Sequence, residues 1–231
     1  MSQNGILSAK DVSLDDKWQV NHGRVLMSGT HAIARVMLAQ HDIDQRNGLH
    51  TAGYVTGYRG SPLGNVDVTF WSLGERLTEK DIVFQPGVNE DLAATAVRGS
   101  QETGLVPGAK YDGVYASWYA KGPGVDRAGD AFKHGNIVGA HKNGGVLIFY
   151  GDDHAGKSST VSHQSEQALA ASLIPSLYPS DPQEILEYGL LGYALSRYSG
   201  SWVAIKCIGE VAEQMMTVDV DLEAFSPALP E

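Results

Sequence analysis

The chain has 231 residues, 42% of them hydrophobic and 19% charged, enough for one large domain or two small ones with a sizeable core. A net charge of −10 argues against general nucleic-acid or anionic-membrane binding, since both need basic faces. A lone cysteine, Cys207, excludes an internal disulfide, a thiolate zinc cluster and a cysteine-ligated iron–sulfur cluster within this chain, and fits a reducing cytoplasm.

Met1-Ser2-Gln3-Asn4-Gly5 offers no basic start and no apolar core, so no secretory signal is expected, and no apolar run reaches the roughly 18 residues of a membrane span. Residues 1–23 read as a polar arm anchored by Trp18 and Val20. A helix over residues 32–40 places Ile33, Val36, Met37 and Gln40 on one face. Thr51 to Tyr58 is a short buried strand, followed by the loop Arg59-Gly60-Ser61-Pro62-Leu63-Gly64. Residues 66–79 read as a single helix with Phe70, Trp71 and Leu73 or Leu77 inward, and Ile82-Val83-Phe84 as a strand.

The next stretch is a helix entrance. Pro86 and Gly87 break what precedes, Asn89 is a good N-cap, and Glu90 and Asp91 sit in the first turn, where carboxylates favour the helix dipole. Leu92, Ala93, Ala96, Val97 and Ser100 recur at helical spacing, with Gly104 ending the run. Residues 112–120 form a strand that runs into Lys121-Gly122-Pro123-Gly124-Val125-Asp126-Arg127 and a helix to about residue 140. Residues 144–150 are an unbroken apolar run of the kind buried in a parallel sheet. A polar loop follows, then a helix over 165–172 and a short strand at Leu177-Tyr178. Ser180 or Asp181 caps a helix with Pro182 at its first position, and residues 202–208 are the last strand. Strands and helices alternate, so the expected fold is α/β, a doubly wound, mostly parallel sheet. The body is expected to span residues 24–222, with 223–231 as a tail. In such sheets ligands gather at the carboxyl ends of the strands. Those ends are here the loops at 59–64, 86–90, 121–127 and 151–160.

Several constellations at these ends could carry chemistry. Gly151-Asp152-Asp153-His154-Ala155-Gly156-Lys157-Ser158 matches the P-loop pattern, yet Asp152 and Asp153 would repel phosphate and the residues after Lys157 start a helix poorly. His31, His134, His154 and His163 fit no zinc spacing, so they read as polar or surface histidines, and Asp152-Asp153 as a capping or solvated pair rather than a hard-cation site. On spacing alone, Glu90 complements a helix dipole.

Taken together and in order, six motifs resemble the N-terminal part of the indolepyruvate ferredoxin oxidoreductase family, among the thiamine-diphosphate-dependent 2-oxoacid:acceptor oxidoreductases. They are Gly57-Tyr58-Arg59-Gly60-Ser61-Pro62-Leu63-Gly64, Gln85-Pro86-Gly87-Val88-Asn89-Glu90, Lys121 to Arg127, Gly151 to His154 with Lys157 to Thr160, His163-Gln164-Ser165-Glu166, and Pro179 to Glu184. The resemblance implies a pyrimidine-binding domain. It places Glu90 against N1′ of the cofactor's aminopyrimidine, where a shared proton favours the tautomer that removes the thiazolium C2 proton. That role needs an apolar, mostly dry site. Gly60, Gly122 and Pro123 are implied at the cofactor, and Ser61, Arg59, Lys121, Asp153 and His154 near the substrate. No metal ligand is expected here. No Gly-Asp-Gly motif for Mg²⁺ and diphosphate is present. The chain is therefore expected to be a fragment or a detached subunit, inactive alone. Its expected partners are the remaining domains or subunits carrying the 4Fe-4S clusters, ferredoxin as acceptor, and a second copy in a homodimer. The alternatives are a P-loop nucleotide-binding protein and a non-catalytic assembly domain.

Overall fold

The computed structural model describes residues 12–157 and 159–228, so Ser158, the first eleven residues of the expected arm and the last three residues of the tail lie outside the described residues. In chain order the elements are α1 (Asp16–Gln19), β1 (His22–Ser28), α2 (Gly29–Arg46), β2 (Ala52–Gly57), α3 (Val66–Leu73), α4 (Glu75–Glu79), β3 (Ile82–Phe84) and α5 (Glu90–Gln101). There follow β4 (Val114–Lys121), α6 (Gly122–Arg127), α7 (Gly129–Val138), β5 (Val146–Gly151), α8 (Glu166–Ala171) and β6 (Ser176–Leu177). The chain then forms α9 (Pro182–Ser199), β7 (Val203–Lys206), α10 (Gly209–Glu213) and β8 (Met215–Asp221).

Six strands make one parallel sheet in the order β3-β2-β4-β5-β7-β6. Both faces are covered, as the unbroken apolar run of β5 requires. Alternate residues of a strand point to opposite faces. Tyr115, Tyr119, Leu147, Phe149, Val203 and Ile205 pack against α2, α3 and α9. Ala116, Trp118, Val146, Ile148 and Ala204 pack against α5, α6, α7 and α8 on the other face. The doubly wound α/β reading therefore holds.

Polar groups inside this core are matched. Asp44, wholly buried, accepts 2.6 and 2.7 Å hydrogen bonds from the Arg197 guanidinium, with Thr51 and Gln40 on the same carboxylate. Arg35 is buried and donates to the backbone oxygens of Trp18 and Val20 and to Asn21, fastening the preceding segment to α2. Burial pushes the Arg35 guanidinium down to about 10.

Four expectations need correction. The stretch 66–79 is two helices, because Gly74 takes φ 49° between them, a left-handed turn that suits glycine. Trp71 points outward, and so does Leu92, whose place in the core is taken by Ala94. Residues 202–208 do not contain the last strand. An antiparallel ladder of β1 with β8, running from His22 opposite Asp221 to Ser28 opposite Met215, was not foreseen. Finally, Gly122 and Pro123 do not form a loop but open α6 directly from β4.

Candidate functional site

Glu90 is the first residue of α5, at the crest where the parallel strands end. The helix starts there because Asn89 is extended and its side chain accepts a 2.9 Å bond from the Leu92 N–H. Just before it, the Gly87 N–H donates to the Gly57 carbonyl at 2.7 Å, which fastens the turn to the end of β2. A Cβ on Gly87 would lie 2.8 Å from that of Ala93, so the approach requires glycine. The Trp118 indole N–H holds the backbone oxygen of Glu90 at 2.9 Å. The side chain lies against Gly124, where an added Cβ would stand 2.7 Å from Glu90 Cγ. Its exposure is 11%, and the nearest cation is Arg127, whose Nε is 3.7 Å from Oε2 and 3.6 Å from the Asp91 carboxylate. Glu90 thus points into packed protein and not into water.

The other expected site residues spread along the crest from this point. Gly60 packs on the Lys121 side chain, 2.9 Å from an ideal Cβ to Lys121 Cδ, while Lys121 is the N-cap residue of α6. Arg59 is exposed. Gly122 abuts Asp152, just past the end of β5, and His163 in the loop before α8, and Pro123 follows it in the first turn of α6. Pro62, joined to Ser61 by a cis peptide, reaches over the end of β5 and meets Gly151 and Gly209. There Ser61, Asp153 and His154 line one cavity of about 320 Å³ with Pro62, Lys157, Ile208 and α10. Glu90 does not line that cavity, so the structure separates the residue beside the cofactor's expected place from three of the five expected near substrate.

Around the β5 end lies a network that the sequence did not reveal. Asp152 is fully buried and accepts from the Ser165 N–H at 2.8 Å and the Ser165 hydroxyl at 2.6 Å. Lys206, also buried, stands 3.5 Å from Asp152, bonds Glu166 and lies over the Tyr178 ring. Burial opposes ionisation of Glu166, but the Lys206 ammonium outweighs it and holds the carboxyl below its usual range. His163 bridges the Asp152 carboxylate and that of Asp126, the latter at 2.8 Å. The signal was a lysine inside an apolar strand, which only its spatial partners explain.

Asp153 also decides how the P-loop pattern is used. Its carboxylate accepts from the Lys157 and Ser159 N–H groups, at 3.0 and 2.9 Å. A side chain of the loop itself occupies amides that a phosphate would need, and α8 begins only at Glu166. Among the described residues, no group of three or more His, Cys, Asp or Glu side chains is arranged to hold a metal ion, and no helix is long and apolar enough to cross a membrane.

No family model matches the chain. Two curated proteins do, both indolepyruvate oxidoreductase subunit IorA. The protein from Methanothermobacter thermautotrophicus is 24% identical over 176 residues, and that from Methanothermobacter marburgensis 26% identical over 186 residues. The alignments cover 76% and 80% of this chain but only 26% of each relative, so the chain spans about a quarter of their length. A solved 2-oxoglutarate:ferredoxin oxidoreductase from Magnetococcus marinus, with 2-oxoglutarate, coenzyme A and succinyl-CoA bound, superposes with a TM-score of 0.68. That match has 16% identity and covers 89% of this chain and 33% of that one. By sequence the chain is similar to indolepyruvate oxidoreductase subunits, as its motifs led one to expect, and it shares its fold with a 2-oxoacid:ferredoxin oxidoreductase.

Proposed function

We propose that this chain is the domain of a 2-oxoacid oxidoreductase that holds the aminopyrimidine of thiamine diphosphate, with Glu90 as the group that shares a proton with the ring. The observation that carries the reading is the Glu90 carboxyl itself, nine-tenths buried at the crest, seated against a glycine and fixed by shape. The residues present fit the group. A flat ring needs its carboxyl partner held in one place, and Gly124 lets the Glu90 side chain lie directly against the start of α6. It also needs a carboxyl with an oxygen to spare. The guanidinium of Arg127, 3.7 Å away, attracts Glu90 without bonding it closely.

When bound, the cofactor would supply the nucleophilic and electron-accepting chemistry that decarboxylation of a 2-oxoacid needs. The chain's part is narrower. Glu90 holds the proton at N1′, and the Trp118 indole keeps the first turn of α5 from shifting. Gly60, Gly122 and Pro123 shape the wall on the β2 and β4 side. In this reading Ser61, Asp153 and His154, which line the cavity, face the 2-oxoacid together with Arg59 and Lys121 at the ends of β2 and β4. Mg²⁺, the diphosphate and the 4Fe-4S clusters belong in this reading to other domains or subunits, with ferredoxin as acceptor and a homodimer in the cytoplasm as the working form. Support comes from the names of the relatives and from the motifs above.

The test is Glu90→Gln in the full assembly, followed by exchange of the thiamine C2 proton. Loss of exchange with cofactor binding retained supports the reading. An unchanged exchange rate overturns it, and so does steady 2-oxoacid turnover by the isolated 231-residue chain.

A further inference from the structure

The short helix α6 stands between Glu90 and the network at the end of β5, and it touches both. Residues three or four apart share a helix face, so Gly122 and Asp126 lie on one side, and Gly124 and Arg127 on the opposite side. The Gly124 side meets Glu90, where an added Cβ would stand 2.7 Å from Cγ and 3.1 Å from Oε1, and Arg127 reaches Glu90 and Asp91 from the same side. The Gly122 side meets His163, where an added Cβ would stand 2.3 Å from Nδ1. His163 Nε2 lies 2.8 Å from the Asp126 carboxylate, and since a carboxylate only accepts, Nε2 carries the hydrogen. Glycines on both faces thus let α6 be gripped from two sides with no room to spare.

His163 in turn closes the loop that supplies Asp153, His154 and Lys157 to the Ser61 cavity. Its backbone N–H donates to the Asp153 carbonyl at 3.2 Å, its Nδ1 stands 3.4 Å from the buried Asp152 carboxylate, and its side chain is 12% exposed. A helix of six residues makes too few internal hydrogen bonds to fix its own place, so what grips it decides where it lies. We propose that His163 is a positioning residue for Glu90. By bonding Asp126 it holds α6 against that carboxyl from the cavity side, so one helix sets both the cavity loop and the seat of Glu90. The inference rests on the proposed function in taking Glu90 as the group that trades a proton. Asp126 is 63% exposed, and an ion pair open to water adds little to global stability, so the worth of this bond is local.

The test follows solvent exchange of the Trp118 indole hydrogen, which bonds the Glu90 backbone oxygen, in the ligand-free ¹⁵N-labelled 231-residue chain. The buried Phe149 amide of β5 serves as the measure of global opening. Asp126→Ala and His163→Leu are each expected to speed indole exchange at least about 5-fold relative to Phe149, and the double variant no further than either alone. His163→Gln, whose amide can still donate to Asp126, is expected to stay within about 2-fold of wild type. In the full assembly, His163→Leu is expected to slow thiamine C2 proton exchange at least about 5-fold, and to add nothing once Glu90→Gln is present. Indole exchange that ignores both Asp126→Ala and His163→Leu overturns the inference, as does His163→Gln behaving like His163→Leu. Equal slowing of C2 exchange by His163→Leu with and without Glu90 overturns it too. The indole readout needs no cofactor, so it judges the inference by itself. Failure of the enzymatic reading is seen separately, in C2 proton exchange that ignores Glu90→Gln.

Discussion

At the β3–β2 end of the crest, Glu90 is held by shape: a glycine against its side chain, an indole on its backbone, and one guanidinium at 3.7 Å. At the β5–β7 end, Asp152 is held by bonds, two from Ser165, with Lys206 and His163 beside it. Both carboxylates are buried, yet they suit opposite tasks. A carboxylate whose lone pairs are filled by donors is an anchor, since every bond to it favours one protonation state. A carboxylate kept dry by small neighbours, with its oxygens uncommitted, can trade a proton with a ligand.

Several experiments break or sharpen this contrast. The largest effect is expected for Glu90→Gln, which should slow C2 proton exchange by about 10²- to 10⁴-fold, the usual worth of a positioned acid–base group. Urea unfolding of the same variant should stay within about 0.5 kcal/mol of wild type, as for changes that break no bonded network. A large stability loss would mean that Glu90 is an anchor too. Lys206→Met should do the reverse. Leaving Asp152 and Glu166 without their buried cation should cost about 3–5 kcal/mol in urea unfolding.

Gly124→Ala lies between the two. The added methyl would press on Glu90 Cγ, so a loss of about 1–3 kcal/mol is expected, and slower C2 exchange with it. Exchange at the wild-type rate would show that the carboxyl's seat is not shape-dependent. A separate effect, driven by pH, belongs to the core under both ends. Burial raises the hydroxyls of Tyr115, Tyr119, Tyr150 and Tyr193 above the ordinary tyrosine range. Their folded pKa exceeds the unfolded one, so their contribution is complete below about pH 10 and is lost as pH rises beyond it. The urea midpoint should fall steadily between about pH 10 and 11. The buried Cys207 thiol, raised by the same cause, should resist alkylation until the chain unfolds.

Much of this was legible in the sequence where the signal is local. The Asn89 cap and the Asp181-Pro182 start of α9 follow from residues within one helical turn, and the apolar run of β5 identifies itself. What escaped depends on distant partners. His22 to Ser28 alternates inward and outward as a strand should, but its partner lies nearly two hundred residues away. Trp71 and Leu92 obey helical spacing and still face outward, because which face is buried is set by where the helix docks. Lys206 is the clearest case: an apolar strand predicts a dry site, and only the arrival of two carboxylates makes a lysine tolerable there. Of the candidate site, Glu90 could be named from its motif, but its separation from the Ser61 cavity could not.

The β1–β8 ladder sets how the body would respond to being pulled. Its register places His22 opposite Asp221 at the outer end, with the parallel sheet looped between Ser28 and Met215 at the inner one. Tension on the two flanks would first meet the Arg35 bonds to residues 18–21 and, once those had given way, open the ladder one rung at a time, as a zip fastener opens. The load would reach the central strands only after the last rung had parted. Whatever hangs from those flanks could tug at this domain and spend the force on the fastener, while the crest above kept its shape.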